Sequence, residues 1–542
     1  MCRVFGLLLG VLLPACLPAS QRVRAVLVFP FENQSARPDL NWISESFAEI
    51  LSSRLSGPEN YVLDRSERNA AYQQLGIPAD SPLTLASEYT VARTLGVDWA
   101  VIGNFSVIDN NLVARARLLE VQQLMLSQPM EASGALSDLV DLQTLLAWRL
   151  LGTHDPSFTV GTEEDFRRRF PEVRLDAFEN YTRGVLSTDD ESRIHFFTES
   201  DRLNPADHQA AFELGRLYFD QKDYADSLKW LAKLQDGDTH YFEGLFLRAV
   251  DEFFLGRQQD SEQNFALLAR EIPLNEVWND LGVLQAGRGQ YAEALGSFER
   301  AYKGDPTDPD FAFNLGVCFW YLKRYTEAEQ YLNKDLRENE DDSEAHTLLA
   351  AVLGRLQDSG GQHRELQWLA QHEGDSTTDA PGDILPQARL KKNYDGRAFR
   401  LLTLTVHNAL EESLSKLSPA EHHDVHVARG KKFFAEGRSA EAERELGEAV
   451  SLVPTDAAAH VLMARVLEAE GKHAEAAAEL EAALKLQNSA SAHILLARVY
   501  LELHKPDLAR GQGQAALALE PGNQEALQLL NVIHPTSSHE AP

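Results

Sequence analysis

The sequence predicts a multidomain chain in which a small mixed α/β domain precedes an all-α solenoid, a right-handed superhelix of helix pairs. Three observations carry this. Glycine or alanine returns at Gly215, Ala249, Gly282, Gly316 and Ala350, and again at Gly430, Ala464 and Ala497, with steps of 33 or 34 residues inside each run. A period of that length marks a two-helix unit stacked many times. Strand-like runs rich in β-branched residues are confined to residues 24–152. The length, 542 residues, exceeds what one domain ordinarily holds.

At the N-terminus, Arg3 is followed by VFGLLLGVLLPA and then by small residues. The apolar run is too short to span a bilayer and has the layout of an export signal. Two cleavage readings stand side by side. Leu13-Pro14-Ala15-Cys16 resembles a bacterial lipobox, which would remove residues 1–15 and lipidate Cys16; ordinary cleavage would remove residues 1–19. A third reading leaves the segment as an intact anchor or a false signal. The expected location is periplasmic or envelope-associated, with any membrane contact made through this terminus. Cys318 is then the one assured thiol, and a single cysteine forms no internal disulfide.

Residues 24–152 read as the α/β domain. Residues 24–31, RAVLVFPF, are a strand. In 39–55, Trp42, Ile43, Phe47, Ile50, Leu51 and Leu55 recur at helical spacing. A short strand at 61–63 precedes a helix at 66–75 capped by Asp64 or Ser66, and another helix covers 83–95. Strands at 97–108 and 112–121 are joined by a turn at Asn110-Asn111, because asparagine tolerates positive φ. A strand at 124–133 and a helix at 136–151 complete the domain.

Residues 153–175 are a linker. The solenoid's first half spans 176–372 and its second half 389–533, where the last segment is a terminal helix covering the final repeat. Between them, 373–388 is a loop or flexible linker, as GDSTTDAPGDILP is rich in turn formers. Residues 534–542 are a disordered tail. Two crossing helices need a small residue where their axes approach, which explains the recurring Gly and Ala. In the first repeat helix, Trp278, Leu281 and Gly282 hold the inner face, and Tyr291, Ala294, Phe298 and Ala301 hold that of the second. Pro306, Pro454 and Pro521 stop second helices. Arg248 and Glu252 fall where burial is expected, leaving the phase of that repeat open.

These residues resemble the tetratricopeptide repeat family over roughly 175–533. That family's stacked helix pairs imply a protein-binding surface. The N-terminal domain resembles the amino-terminal domain of periplasmic TolB and its relatives among curli-secretion and flagellar outer-membrane lipoproteins. The carrying residues are VLVFPFEN (26–33), AEILSSRL (48–55), VLDRSE (62–67) and LGVDWAVIGNFS (95–106). This second resemblance implies envelope-associated protein contacts and brings no catalytic residue.

Composition narrows the function. A net charge of −31 argues against nucleic acid, whose phosphates need a basic footprint. His422 and His426 share a helix face beside Glu421 and His423, but no third ligand stands at a telling spacing. The acidic runs 305–310 and 338–342 read as turns, and the calcium-loop spacing is absent. No nucleophile–base pair and no phosphate loop is visible, so neither catalytic residue, metal nor cofactor is expected. An unrecognised enzyme site in the first domain or in 374–417 is the rival of a different class.

The binding reading is sharper. At about 100° per residue, the first helix of each repeat turns its non-packing side to the concave face. That puts Phe212, Phe219, Val283, Phe313, Val317 and Trp320 along the first half of the groove, and Lys431, Arg465 and Arg498 along the second. The alternative is that these aromatics pack between neighbouring first helices and the cations pair with local acids. The expectation is a scaffold whose groove, aromatic and then basic, takes a protein or peptide partner or an acidic terminus. A variant of this reading is a sensor or regulatory module whose N-terminal domain docks on its own solenoid.

Overall fold

The computed structural model describes residues 23–533 apart from 79–80, 155–157, 159–160, 171–172, 236–237, 373–386 and 436. Cys16 and the export signal therefore lie outside the described residues. The chain divides into two compact units, one of Met1–Leu234 with Phe242–Thr405 and one of Gln235–Tyr241 with Val406–Pro542.

The first unit opens with a mixed sheet. Its strands are β1 (Arg24–Val28), β2 (Glu32–Asn33), β3 (Asn60–Leu63), β4 (Trp99–Ile108), β5 (Asn111–Glu120), β6 (Met125–Leu126) and β7 (Met130–Ala135). They run in the order β3-β1-β4-β5-β6, with β2 added to β4 and β7 to β5. β1 lies parallel to both β3 and β4, whereas β4, β5 and β7 form an antiparallel meander. Four helices cover the sheet, α1 (Trp42–Leu55), α2 (Arg65–Leu75), α3 (Leu85–Thr94) and α4 (Leu139–His154). Val26 and Val28 pack with α1 and α4, whereas Leu27 packs with α2 and α3. Burial on both faces is why this strand reads as a continuous apolar run.

Two local expectations are corrected. The hairpin turns at Asp109-Asn110, both at positive φ (49° and 64°), and Asn111 already pairs with Ile108. A two-residue loop of this hand needs both central residues left-handed. The strand expected over 124–133 is split into β6 and β7. Ser127 interrupts it by donating its N–H to Leu118 O and accepting from Leu118 N through its hydroxyl.

Helix pairs follow, from Leu175–Leu186 with Asp190–Leu203 to Ser343–Arg355 with Ser359–His372 in the first unit. In the second unit they run from Pro419–Ala435 with Ser439–Leu452 to Pro506–Leu519, closed by Gln524–Ile533. The recurring glycines lie at the crossing points. A Cβ on Gly215, Gly282, Gly316 or Gly430 would stand 2.4, 2.7, 2.8 or 2.6 Å from Leu231, Phe298, Leu332 or Leu446. Ala249 is fully buried, which fixes the phase left open at that repeat, and Glu252 is buried with Asn264 donating to it at 2.7 Å.

The second half of the solenoid does not begin at residue 389. Residues 387–395 form no helix, and the helix Gly396–Ser415 starts after them. Residues up to Thr405 belong to the first unit. Within that unit α1 packs against Leu175–Leu186, Arg183 donates to Asp39 O at 3.3 Å, and Leu401 and Leu404 pack on the α2–α3 side of the sheet.

Candidate peptide-binding groove

The first helices of successive repeats line a groove in the first unit, and residues 387–395 lie along it. Asn279 and Asn314 are fully buried on adjacent first helices, Asn275–Gly287 and Pro309–Tyr321. Asn314 Nδ2 donates to Arg389 O at 2.8 Å, Asn279 Nδ2 donates to the same oxygen at 3.0 Å, and Asn314 Oδ1 accepts from Arg389 N at 2.6 Å. Asp280 Oδ1 accepts from Lys391 N at 2.8 Å. An extended main chain is thus held by buried side-chain amides and a carboxylate, as a buried peptide group requires partners. Burial pushes the Asp280 carboxyl well above its usual range, against the hydrogen bonds from Lys391 and Asn279.

The groove holds the side chains by charge. Arg389 Nη2 reaches Asp342 at 2.7 Å and Glu344 at 2.8 Å, and its guanidinium stacks 3.6 Å from the centre of the Phe313 ring. Lys391 Nζ reaches Asp308 at 2.8 Å and Asp310 at 2.6 Å. Asp308 and Asp342 are also the N-caps of their helices, accepting from Phe311 N and Ala345 N. Helix ends and bound cations therefore share the same carboxylates. Arg389 and the backbone N–H groups of Ala345 and Glu344 hold the Asp342 carboxyl below its usual range despite burial. Further along, Tyr394 packs its ring against Phe246 and Phe399 at 5.0 Å each. Arg400 reaches Glu243 at 3.3 Å and also Asp64 and Glu67 of the α/β domain at 3.0 Å.

Of the residues expected on the concave face, Phe212, Phe219, Val283, Phe313 and Val317 are buried and Trp320 is half-buried. Phe313 meets residues 387–395, the strap along the groove, through Arg389, while Val283 and Val317 pack in the core between neighbouring helices. The first-half groove therefore joins aromatic rings, Phe313 and Phe246, with the carboxylates of Asp308, Asp310 and Asp342, which the aromatic expectation did not include. Lys431, Arg465 and Arg498 are exposed in the second unit, and Arg498 pairs with Glu525 of the terminal helix. The turn reading of 305–310 and 338–342 missed that Asp308, Asp310 and Asp342 bind cations. The available signal was an Asp cap followed two residues later by another acid, DPD and DSE, facing a basic run, RLKK.

The histidines of the metal lookalike have structural partners. His426 Nδ1 lies 2.8 Å from Glu445, and His423 lies 3.1 Å from Asp456. Among the described residues no group of three His, Cys, Asp or Glu could hold a metal ion. His426 instead belongs to a recurring pair. His346 with Glu365, His460 with Glu479 and His493 with Gln512 repeat it at 2.6 Å, each partner nineteen residues on. Cys318 is buried, its thiol donating to Tyr291 O at 3.0 Å and pushed up to about 12 by burial.

Comparison with known proteins agrees with the helical part. A family model described as a tetratricopeptide repeat matches residues 285–352 and 433–499, and a second of the same description matches 196–241 and 246–309. BBSome complex member BBS4 of Bos taurus is 29% identical over 147 residues, which is 26% of this chain and 26% of that protein. The chain thus spans about a quarter of that curated relative's length. A tetratricopeptide repeat protein of Parabacteroides merdae shares 18% identity over 54% of this chain and 98% of its own, with a TM-score of 0.24. MamA of Desulfovibrio magneticus shares 15% over 32% of this chain and 98% of its own, with a TM-score of 0.29.

Proposed function

We propose, for a chain whose helical part is a solenoid of tetratricopeptide repeats, a non-enzymatic protein–protein interaction scaffold of the bacterial cell envelope. Partners bind on the concave surface. One observation carries this reading: Asn279, Asn314 and Asp280 hold an extended backbone inside the groove. Such contacts recognise a peptide chain as such, and the side-chain sites beside them add selectivity.

The envelope location rests on the export-signal layout of residues 3–19, and the TolB-like resemblance of residues 24–152 is consistent with it. The exposed cations Lys431, Arg465 and Arg498 form the second-half part of the proposed surface. The regulatory variant has its own support, since Arg400 bridges Glu243 of the solenoid to Asp64 and Glu67 of the α/β domain.

The test is affinity capture of the mature protein from its own envelope fraction beside an Arg465→Glu/Arg498→Glu variant. Capture should fall at least about tenfold in the variant, the scale on which truncated interface anchors act. Equal capture would remove the second-half groove from the binding surface. Recovery of the chain in the cytoplasmic fraction would remove the envelope assignment.

A further inference from the structure

The segment in the groove has the features of a ligand. In an extended chain alternate side chains point the same way. Arg389 and Lys391 accordingly share one side and meet the carboxylates of Asp308, Asp310, Asp342 and Glu344. Leu390, between them, packs on the apolar core of the repeats. Tyr394 fills the aromatic site beside Phe246. Backbone contacts set the register, two cations supply selectivity, and an aromatic ring anchors the end.

We infer that this groove is a receptor for an extended basic segment of a partner protein, and that residues 387–395 are the chain's own copy of that ligand, exchanged when the partner arrives. The inference rests on the scaffold reading and adds the chemistry of the partner: a basic residue, an apolar residue, a second basic residue, and an aromatic residue three positions further on.

Two physical arguments favour exchange over a permanent brace. The contacts are mostly charge-assisted, and the Arg389 and Lys391 side chains keep 20% and 21% of their exposure. Such pairs weaken with salt and can be replaced by equivalent cations. The groove also favours a cationic occupant. Four carboxylates on neighbouring helix starts repel one another when the strap leaves, so the emptied groove attracts a basic chain. The strap's advantage is its tether, which gives an intramolecular ligand an effective concentration on the order of mM. A partner overcomes this through contacts beyond the strap's own length.

The probe is a fluorescent peptide of sequence QARLKKNYD, residues 387–395, titrated into the full chain and into its Arg389→Glu/Lys391→Glu variant. The variant should bind the peptide at least tenfold more tightly than the wild type, and a peptide with glutamate at both basic positions should bind neither. Hydrogen exchange on the wild type gives a readout that does not depend on the variant folding. Saturating peptide should speed exchange at the Arg389 and Lys391 amides, which donate to Asn314 and Asp280. Unchanged exchange at those amides overturns the inference, as does a folded variant that binds the peptide no better than wild type. If envelope partners are still captured while the peptide fails to exchange, this inference alone falls. If the peptide exchanges and no envelope partner is captured, the groove chemistry stands and the scaffold reading falls.

Discussion

Single residues decide how closely the helices pack. Gly215 meets Leu231 Cγ, a branch point next to the backbone of a fully buried side chain, so the neighbour cannot swing aside. Alanine would gain about 1 kcal/mol of helix propensity there. Overpacking costs about 1–3 kcal/mol, which outweighs that gain. Gly215→Ala should therefore lower the denaturant midpoint. Asp335 offers a test by pH. It is fully buried with neither carboxylate oxygen hydrogen-bonded, and burial, reinforced by Asp342, raises it to about 7. A raised carboxyl favours the folded state while protonated in both states. That contribution is lost as pH climbs from the ordinary carboxyl range, about 4, through about 7. Asp335→Asn should match wild type in melting temperature near pH 4 and exceed it at pH 8. An unchanged gap between the two proteins across that range would contradict this assignment.

At the scale of elements, eight repeats turn between their helices through a residue in the left-handed region, seven positions after the crossing point. Gly256, Gly289, Gly437 and Gly471 occupy it in some repeats, and Lys222, Lys323, Gln357 and His504 in others. A residue with a Cβ costs roughly 1–2 kcal/mol there. Lys323→Gly and Gln357→Gly should each stabilise the fold by up to about 1 kcal/mol, after the entropy that glycine adds to the unfolded chain. Urea unfolding measures this directly. The sequence showed these positions only where glycine stands. The His–Glu pairs were similarly hidden, because His426 among His422 and His423 looks like a ligand cluster. Only across repeats does its nineteen-residue partner recur.

For the first unit as a whole, Arg400 is a residue that joins two layers of structure. It is shared between the N-cap region of α2 and Glu243 of the solenoid, and Glu67 and Glu243 are themselves largely buried. Removing one partner of a buried ion pair costs about 3–5 kcal/mol; with Arg400 17% exposed, the lower end applies. Arg400→Ala should increase hydrogen exchange together in α2 and in the helix Tyr241–Phe254. Exchange confined to one of them would show that the two do not act as a unit.

The sequence by itself determined the solenoid, its period and most of its phase, because every crossing of two helices imposes the same demand for a small residue. It also determined the α/β order of the first domain, where β-branched runs alternate with helical spacing. It could not reveal what fills the first-half groove. Asp308 and Asp342 are ordinary helix caps until Arg389 and Lys391 arrive from 79 and 81 residues away at Asp310 between them. A local pattern records what a residue does for its own helix. Which distant charge it meets depends on the path of the chain across stacked repeats, and only the tertiary structure decided that.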